Sequence, residues 1–298
     1  MDIRKVTANI GADVHGVDLS QPLDKGVVAD IRAALLEHLV LFFRGQPKLS
    51  VEQHVRFGRY FGEIDLPLFR TASSPAPEVI VLDQKNPKGE GADSWHADNT
   101  YMPAPPMGSI LQAHLLPSIG GDTCFANMYA AYQALSSGLR SMLDGLSAIH
   151  SLEQMAERTK HVMGASLRDK VDEWPPVLHP VVAVHPETGR RLLNVNANWT
   201  VAIDGMSRNE SDALLRLLYD HVRSPEFQVR LRWNSGDVAF WDNRAVQHYA
   251  VADYRERRMM QRVTIAGTRI QGIADAERPD AQRPDVQGSV DRATARAQ

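Results

Sequence analysis

Residues 27–39 (VVADIRAALLEHL) set Ile31, Leu35, Leu36 and Leu39 on one helical face, which predicts an amphipathic helix. Ser50 with Gln53, and Ser207 with Glu210, are N-cap and N3 pairs that open two further helices, one over roughly 51–61 and one over ALLRLLYDHV. Between these lie short apolar runs of strand character: EVIVL (78–82), GSILQAHLL (108–116), HPVVAVH (179–185) and RLLNVN (191–196). Three more follow near the end, FQVRLRW (227–233), DVAFW (237–241) and MMQRVTIAG (259–267). Turn signals such as His185-Pro-Glu-Thr-Gly189 and Asn234-Ser-Gly-Asp237 separate many of them. Strands this short and this punctuated predict a mostly β protein, a sandwich or jelly roll with flanking helices. There is no βαβ rhythm, no glycine-rich phosphate loop and no solenoid repeat. The stretch 150–176 is polar and poorly periodic and ends in Trp174-Pro175-Pro176, which reads as a lid or insertion. From about residue 272 the chain lacks apolar anchors and reads as a disordered or loosely docked tail, leaving 1–271 as one domain.

Composition narrows the class. With 298 residues, 43% of them hydrophobic and 23% charged, the chain is that of a soluble globular protein with room for a sizeable core. A formal net charge of -3 argues against a nucleic-acid binder, which would carry a basic face. No apolar run is long enough to span a bilayer, and the start, MDIRKVTANIGADVHG, has no apolar secretory core. Cys124 is the only cysteine, so no intrachain disulfide can form, as fits a cytoplasmic protein.

The candidate chemistry begins at Asp93-Ser-Trp-His96-Ala-Asp98. In an extended strand residues i and i+2 share a face, so His96 and Asp98 can reach one ion. With eleven histidines in the chain, about one such pair is expected by chance. His185-Pro-Glu187 competes, but its proline and the following Thr-Gly mark a turn. His248, after Trp241-Asp-Asn-Arg244, supplies the distant imidazole that a two-histidine, one-carboxylate triad requires. Alone, it reads more readily as a surface or core histidine satisfied by a backbone carbonyl. Arg258 and Arg262, four apart in a strand-like run, share a face, with Met259 and Val263 opposite. Two inward guanidiniums call for anions, whereas on an edge they would simply be solvated.

The chain resembles the taurine dioxygenase / 2,4-dichlorophenoxyacetate dioxygenase family. The ordered series Phe43-Arg44, Arg59-Tyr-Phe-Gly62, Trp95-His-x-Asp98, Pro105-Pro106, Gly120-Gly-Asp-Thr123, His179-Pro180, His185-Pro186, Trp241-Asp-Asn-Arg244 and Arg258-x-x-x-Arg262 carries the likeness, from Ile10 to about Gly267. The resemblance implies a double-stranded β-helix and an oxidation that uses Fe(II), 2-oxoglutarate and O2 and releases succinate and CO2. It implies His96, Asp98 and His248 as iron ligands, Thr123 and Arg258 on the far carboxylate of 2-oxoglutarate, and Arg262 on an anionic substrate. The His248–Arg258 segment is one residue shorter than in taurine dioxygenase, so the division of labour between the arginines stays open. Leu66 and Ala92 stand where taurine dioxygenase recognises an amine. Phe69 replaces a tyrosine, Asn99 an apolar residue and Asn194 an aromatic. A pocket without polar partners for an amine disfavours taurine. The expected substrate is an alkyl sulfate, another sulfonate, or an aryloxy- or alkyl-carboxylate, with taurine itself as the alternative. Family members are also dimers or tetramers, so a homo-oligomer is expected. Two other classes share the ligand set or the fold: a zinc hydrolase, which has no need of Thr123 and Arg258, and a non-catalytic jelly-roll binding protein.

Overall fold

The computed structural model describes residues 1–67, 74–85, 93–163 and 168–276. Phe69, Ala92, part of the 150–176 segment and residues 277–298 lie outside the described residues. The main sheet has eight strands. Its centre is built by Val40–Phe43, Val238–Asp242, Gly108–Leu115 and Arg258–Ile265. Asp2–Lys5 and Ala12–His15 extend it on one side, while Ile64–Asp65 and Val79–Gln84 both pair with Arg258–Ile265 on the other.

These central strands are rich in apolar residues because both faces are covered. Val40, Phe42, Leu111, Ala239, Trp241 and Met260 face a core shared with Phe125, Val229, Leu231 and Val246 of a smaller, opposing sheet. The intervening residues Leu41, Phe43, Ile110, Val238, Phe240 and Ile265 face outward. They meet Ile31, Ala34 and Leu35 of the helix Lys25–His38 and Phe57 of the helix Val51–Arg59. The smaller sheet orders Gln228–Leu231, Thr123–Asn127 and Val246–Ala250. Two sheets stacked on one core, with helices outside the larger, form the expected jelly roll.

Both capping sequences form. Ser50 Oγ accepts from the Gln53 N–H at 3.2 Å, and Gln53 Oε1 accepts from the Ser50 N–H at 2.7 Å. Ser207 donates its N–H and hydroxyl to Glu210, ahead of the helix Arg208–Val222. All seven apolar runs lie in strands, with HPVVAVH divided into Val177–Pro180 and Val182–Val184. The segment after His150 carries two helices, Glu153–Met163 and Arg168–Val171, with turns and irregular chain at its described ends. The chain beyond 271 starts docked. Gly272 pairs with Ala183 within the strand Gln271–Gly272, and the short helix Ile273–Ala276 follows. No described helix is long and apolar enough to cross a membrane.

Candidate metal centre

His248 sits in the middle of Val246–Ala250, opposite Phe125, which fixes its backbone in the smaller sheet. His96 joins it through a single antiparallel bridge. Each residue's N–H donates to the other's carbonyl, at 3.0 Å from His96 and 2.7 Å from His248. His96 and Asp98 therefore do not share a strand face as the i, i+2 spacing predicts: the chain around His96 makes one bridge rather than a continuous ladder, and it turns at Asp98. Asn243 does the work that a ladder would do for Asp98. Its Oδ1 accepts from the Asp98 N–H at 2.7 Å, and its Nδ2 donates to the carbonyls of Asp98 (3.0 Å) and Pro106 (3.1 Å). Asn99, next in sequence, takes the left-handed conformation at φ 52°, which asparagine tolerates better than most residues.

The three side chains converge in a buried site, and their potential ligand atoms all lie within 4.8 Å of one another. Asp98 Oδ1 is 3.8 Å from His96 Nε2 and 3.7 Å from His248 Nε2. His96 Nδ1 donates to the Ser94 carbonyl at 2.7 Å, which leaves its Nε2 lone pair free. Burial pushes the pKa of both imidazoles down, that of His248 to about 3, so both are neutral and able to donate to a metal. Burial alone would raise the Asp98 pKa, but the adjacent Arg262 guanidinium outweighs it and holds the carboxylate ionised. Ser109 Oγ adds a hydrogen bond of 3.0 Å to Asp98 Oδ2. Two neutral imidazoles, that of His96 with its tautomer fixed by Ser94, and one carboxylate make a donor set that fits a divalent transition metal with positions left open.

Arg258 and Arg262 both point to the interior side of their strand, as the spacing predicts. Met260 between them lies in the central core, while Val263 packs with Val55 and Val79 on the other face. Their surroundings differ. Arg262 Nη1 lies 3.1 and 3.2 Å from the two oxygens of Asp98. Arg258 is buried, donates from Nε to the Gly121 carbonyl at 3.1 Å, and has no hydrogen-bond partner for Nη2 among the described residues. Burial pulls its pKa down. A buried cation without a counter-charge is costly, and this one fits a carboxylate brought by a ligand. Thr123 is likewise buried, and its Oγ1 accepts from Trp233 Nε1 at 3.0 Å. The indole can only donate, so the Thr123 hydroxyl keeps its own proton to offer an anion.

The remaining predicted pocket residues do not converge so clearly. Leu66 is 62% exposed, just beyond Ile64–Asp65. The Asn194 amide donates to the Pro180 carbonyl at 3.1 Å and lines a narrow cleft with Thr100, Pro106 and Asn243. His185 proves structural, consistent with the turn reading. Its Nδ1 accepts from the Glu187 and Thr188 N–H groups, and its Nε2 donates to Asp242 at 3.0 Å. Sequence reasoning missed Ser94, Ser109, Trp233 and the role of Asn243. Only Asn243 carried a signal, as the centre of Trp241-Asp-Asn-Arg244.

Fold and site together define a jelly-roll protein with a buried two-histidine, one-carboxylate centre and a buried arginine, Arg258, on a central strand of the main sheet. Residues 2–264 match the family model described as "Taurine catabolism dioxygenase TauD, TfdA family". The chain is 40% identical over 278 residues to an alpha-ketoglutarate-dependent sulfate ester dioxygenase of Pseudomonas putida, covering 90% of each chain. It is 35% identical over 275 residues to an (S)-phenoxypropionate/alpha-ketoglutarate-dioxygenase of Sphingobium herbicidovorans, covering 89% of this chain and 95% of that one. The crystal structure of a taurine dioxygenase from Burkholderia xenovorans aligns with a TM-score of 0.79 at 40% identity, over 92% of this chain and 91% of that one. The chain belongs to the TauD, TfdA family. It is an alpha-ketoglutarate-dependent dioxygenase, an oxidoreductase that uses Fe(II), 2-oxoglutarate and O2, which excludes the hydrolase and the non-catalytic readings.

Proposed function

We propose that this enzyme hydroxylates a small anionic substrate, with an alkyl sulfate ester the first choice, and that His96, Asp98 and His248 hold the iron. The observation that carries the reading is Arg262, whose guanidinium sits against Asp98 and has a buried Nε without a partner among the described residues. With Asp98 holding a metal, its carboxylate would be shared less with Arg262, whose guanidinium would then be available to an incoming anion. The 40% identical sulfate ester dioxygenase supports sulfate over the other anions. Arg258 Nη2 and the Thr123 hydroxyl bind the far carboxylate of 2-oxoglutarate, and Arg262 aligns the substrate C–H with the metal. Asn99 stands beside Asp98 as a further pocket residue, and Leu66, Phe69 and Asn194 remain the candidates for the rest of the wall. Bound iron supplies O2 activation at the expense of 2-oxoglutarate. The protein's own tasks are positioning and charge pairing.

Hydroxylation at the carbon bearing the sulfate oxygen gives a carbon that expels sulfate and a proton and leaves an aldehyde. The overall balance is alkyl sulfate, 2-oxoglutarate and O2 to aldehyde, sulfate, succinate and CO2. The test is succinate release with Fe(II) across alkyl sulfates, alkyl sulfonates including taurine, and aryloxy acids. An alkyl sulfate should give the fastest turnover, with stoichiometric sulfate; a clear preference for taurine would refute the assignment. Arg262→Ala should raise the substrate KM far more than the 2-oxoglutarate KM, and equal effects would mean that the two arginines exchange roles. The free Cys124 supports a reducing, cytoplasmic setting, and the family resemblance is what supports assembly as a dimer or tetramer.

A further inference from the structure

The helix Glu153–Met163 is held by a small apolar cluster of its own. Met155, Ala156 and the preceding Leu152 pack with Tyr101 and Trp199, apart from the two main cores. Arg158 on this helix reaches away from the cluster towards the chain that leads into the metal centre. Its Nη1 donates to Asn198 Oδ1 at 2.8 Å and to Ser94 Oγ at 3.2 Å, and its Nη2 reaches the same Ser94 oxygen at 3.2 Å. The Ser94 hydroxyl also donates to Asn198, whose side chain is fully buried. Among the described residues, the carboxylate that meets Arg158 is that of Asp93, whose Oδ1 lies 3.8 Å from Nη2. The guanidinium fork is therefore satisfied chiefly by two neutral side chains. One of these, Ser94, is the residue whose carbonyl orients His96.

We propose that Arg158 is a positioning residue for His96, and that metal loading and docking of the Glu153–Met163 helix are linked through Ser94. This inference rests on reading His96 as a metal ligand. The partner on Nδ1 sets the orientation of a ligating imidazole, so whatever steadies the Ser94 carbonyl steadies Nε2. Arg158 and Asn198 fix Ser94 at its hydroxyl; without Arg158 only one of these anchors is left. Linkage is reciprocal: the factor by which the docked helix tightens metal binding is the factor by which metal tightens docking. The expected sign sets this apart from simple electrostatics. Deleting a nearby positive charge should strengthen binding of a cation, whereas loss of a positioning residue weakens it.

The test uses the full chain and Co(II) alone as probe, with affinity read from the visible absorption of bound Co(II) and helix docking from hydrogen exchange of amides 153–163. In the unaltered protein Co(II) should slow exchange across the helix. Arg158→Ala and Ser94→Ala should each weaken Co(II) binding, by roughly tenfold, and remove the Co(II)-dependent part of the protection. Ser94→Ala keeps the carbonyl and leaves the helix sequence intact, so it decides the matter even where Arg158→Ala loosens the helix outright. Unchanged or tighter Co(II) binding in Ser94→Ala, or helix exchange indifferent to Co(II) in the unaltered protein, overturns the proposal. Failure of the unaltered protein to bind Co(II) would overturn the metal reading as well.

Discussion

Asn243 is the residue whose removal should report most directly on how the centre is built. Its side chain satisfies three backbone groups: the N–H and carbonyl of Asp98 and the carbonyl of Pro106. Asn243 is only 3% exposed, so in Asn243→Ala these groups lose their partners with little access to bulk water. Each such bond is worth about 1 kcal/mol net, and an orphaned buried group costs about 1–3 kcal/mol. The variant should therefore lose about 3–5 kcal/mol of stability, with the lower end applying if water enters the space left by the amide. Asn243→Asp separates the contributions. It keeps the acceptor for the Asp98 N–H but turns the amide that serves two carbonyls into a carboxylate that repels them. It should be at least as destabilising as the alanine variant, and more so at high pH. The assay is urea unfolding of the metal-free protein, alongside a Co(II) titration of folded protein. Metal affinity should fall in both variants, because Asp98 is no longer held where its carboxylate meets the two imidazoles. An alanine variant within about 0.5 kcal/mol of the unaltered protein, binding Co(II) equally well, would refute the idea that Asn243 holds Asp98.

Three further predictions follow from the same geometry. Gly121 has φ +76°, and an added Cβ would lie 3.1 Å from Arg258 Cδ and 3.2 Å from Nε, so Gly121→Ala should raise the 2-oxoglutarate KM while leaving Co(II) affinity nearly unchanged. Arg258→Met removes a buried, partly unpaired cation; unfolding of the ligand-free protein should show stability unchanged or raised, while isothermal titration should show 2-oxoglutarate affinity at least about 100-fold weaker. The buried Asp242, held by Arg244 and His185, has its pKa pushed down to about 2 against an ordinary carboxylate value of 3.8. A depressed carboxylate stabilises the fold above its unfolded pKa, so this contribution should fade as pH falls from about 4 through about 2; unfolding followed against pH should show Asp242→Asn less stable at neutral pH and flatter across that window.

The periodicity of the chain determined much of the framework. The helix Val51–Arg59 begins where Ser50 and Gln53 place it, since a capping pair needs only local backbone to form. The seven apolar runs lie in strands because each is short, apolar and bounded by turns. Asp2–Lys5, Ala12–His15, Thr200–Ile203 and Val246–Ala250 were not legible. Exposed or mixed residues such as Ile3, Arg4 and Gln247 form strands there because a partner strand demands it, and partners are chosen by tertiary contacts. Val40–Phe43, apolar on both faces, reads locally as the end of the preceding helix; only the sheet on one side and helices on the other explain why it is a strand.

The candidate site divides along the same line. His96, Asp98, His248, Arg258 and Arg262 could be named as candidates from their residue types together with the ordered family signature, because metal and anion chemistry restrict the side chains that serve them. How those residues are held could not be named. That His96 meets His248 by one bridge, that Asn243 rather than a ladder fixes Asp98, and that Ser109 and Trp233 complete the hydrogen bonds depend on contacts across 11 to 152 positions of chain. Local sequence carries no record of such partners, since a serine, an asparagine or a tryptophan acquires its role only from what the folded chain brings beside it. The sequence by itself thus determined the candidate ligand set and much of the framework around it. The tertiary structure decided their orientation, because orientation is set by buried hydrogen bonds that exist only once the two sheets have closed on each other.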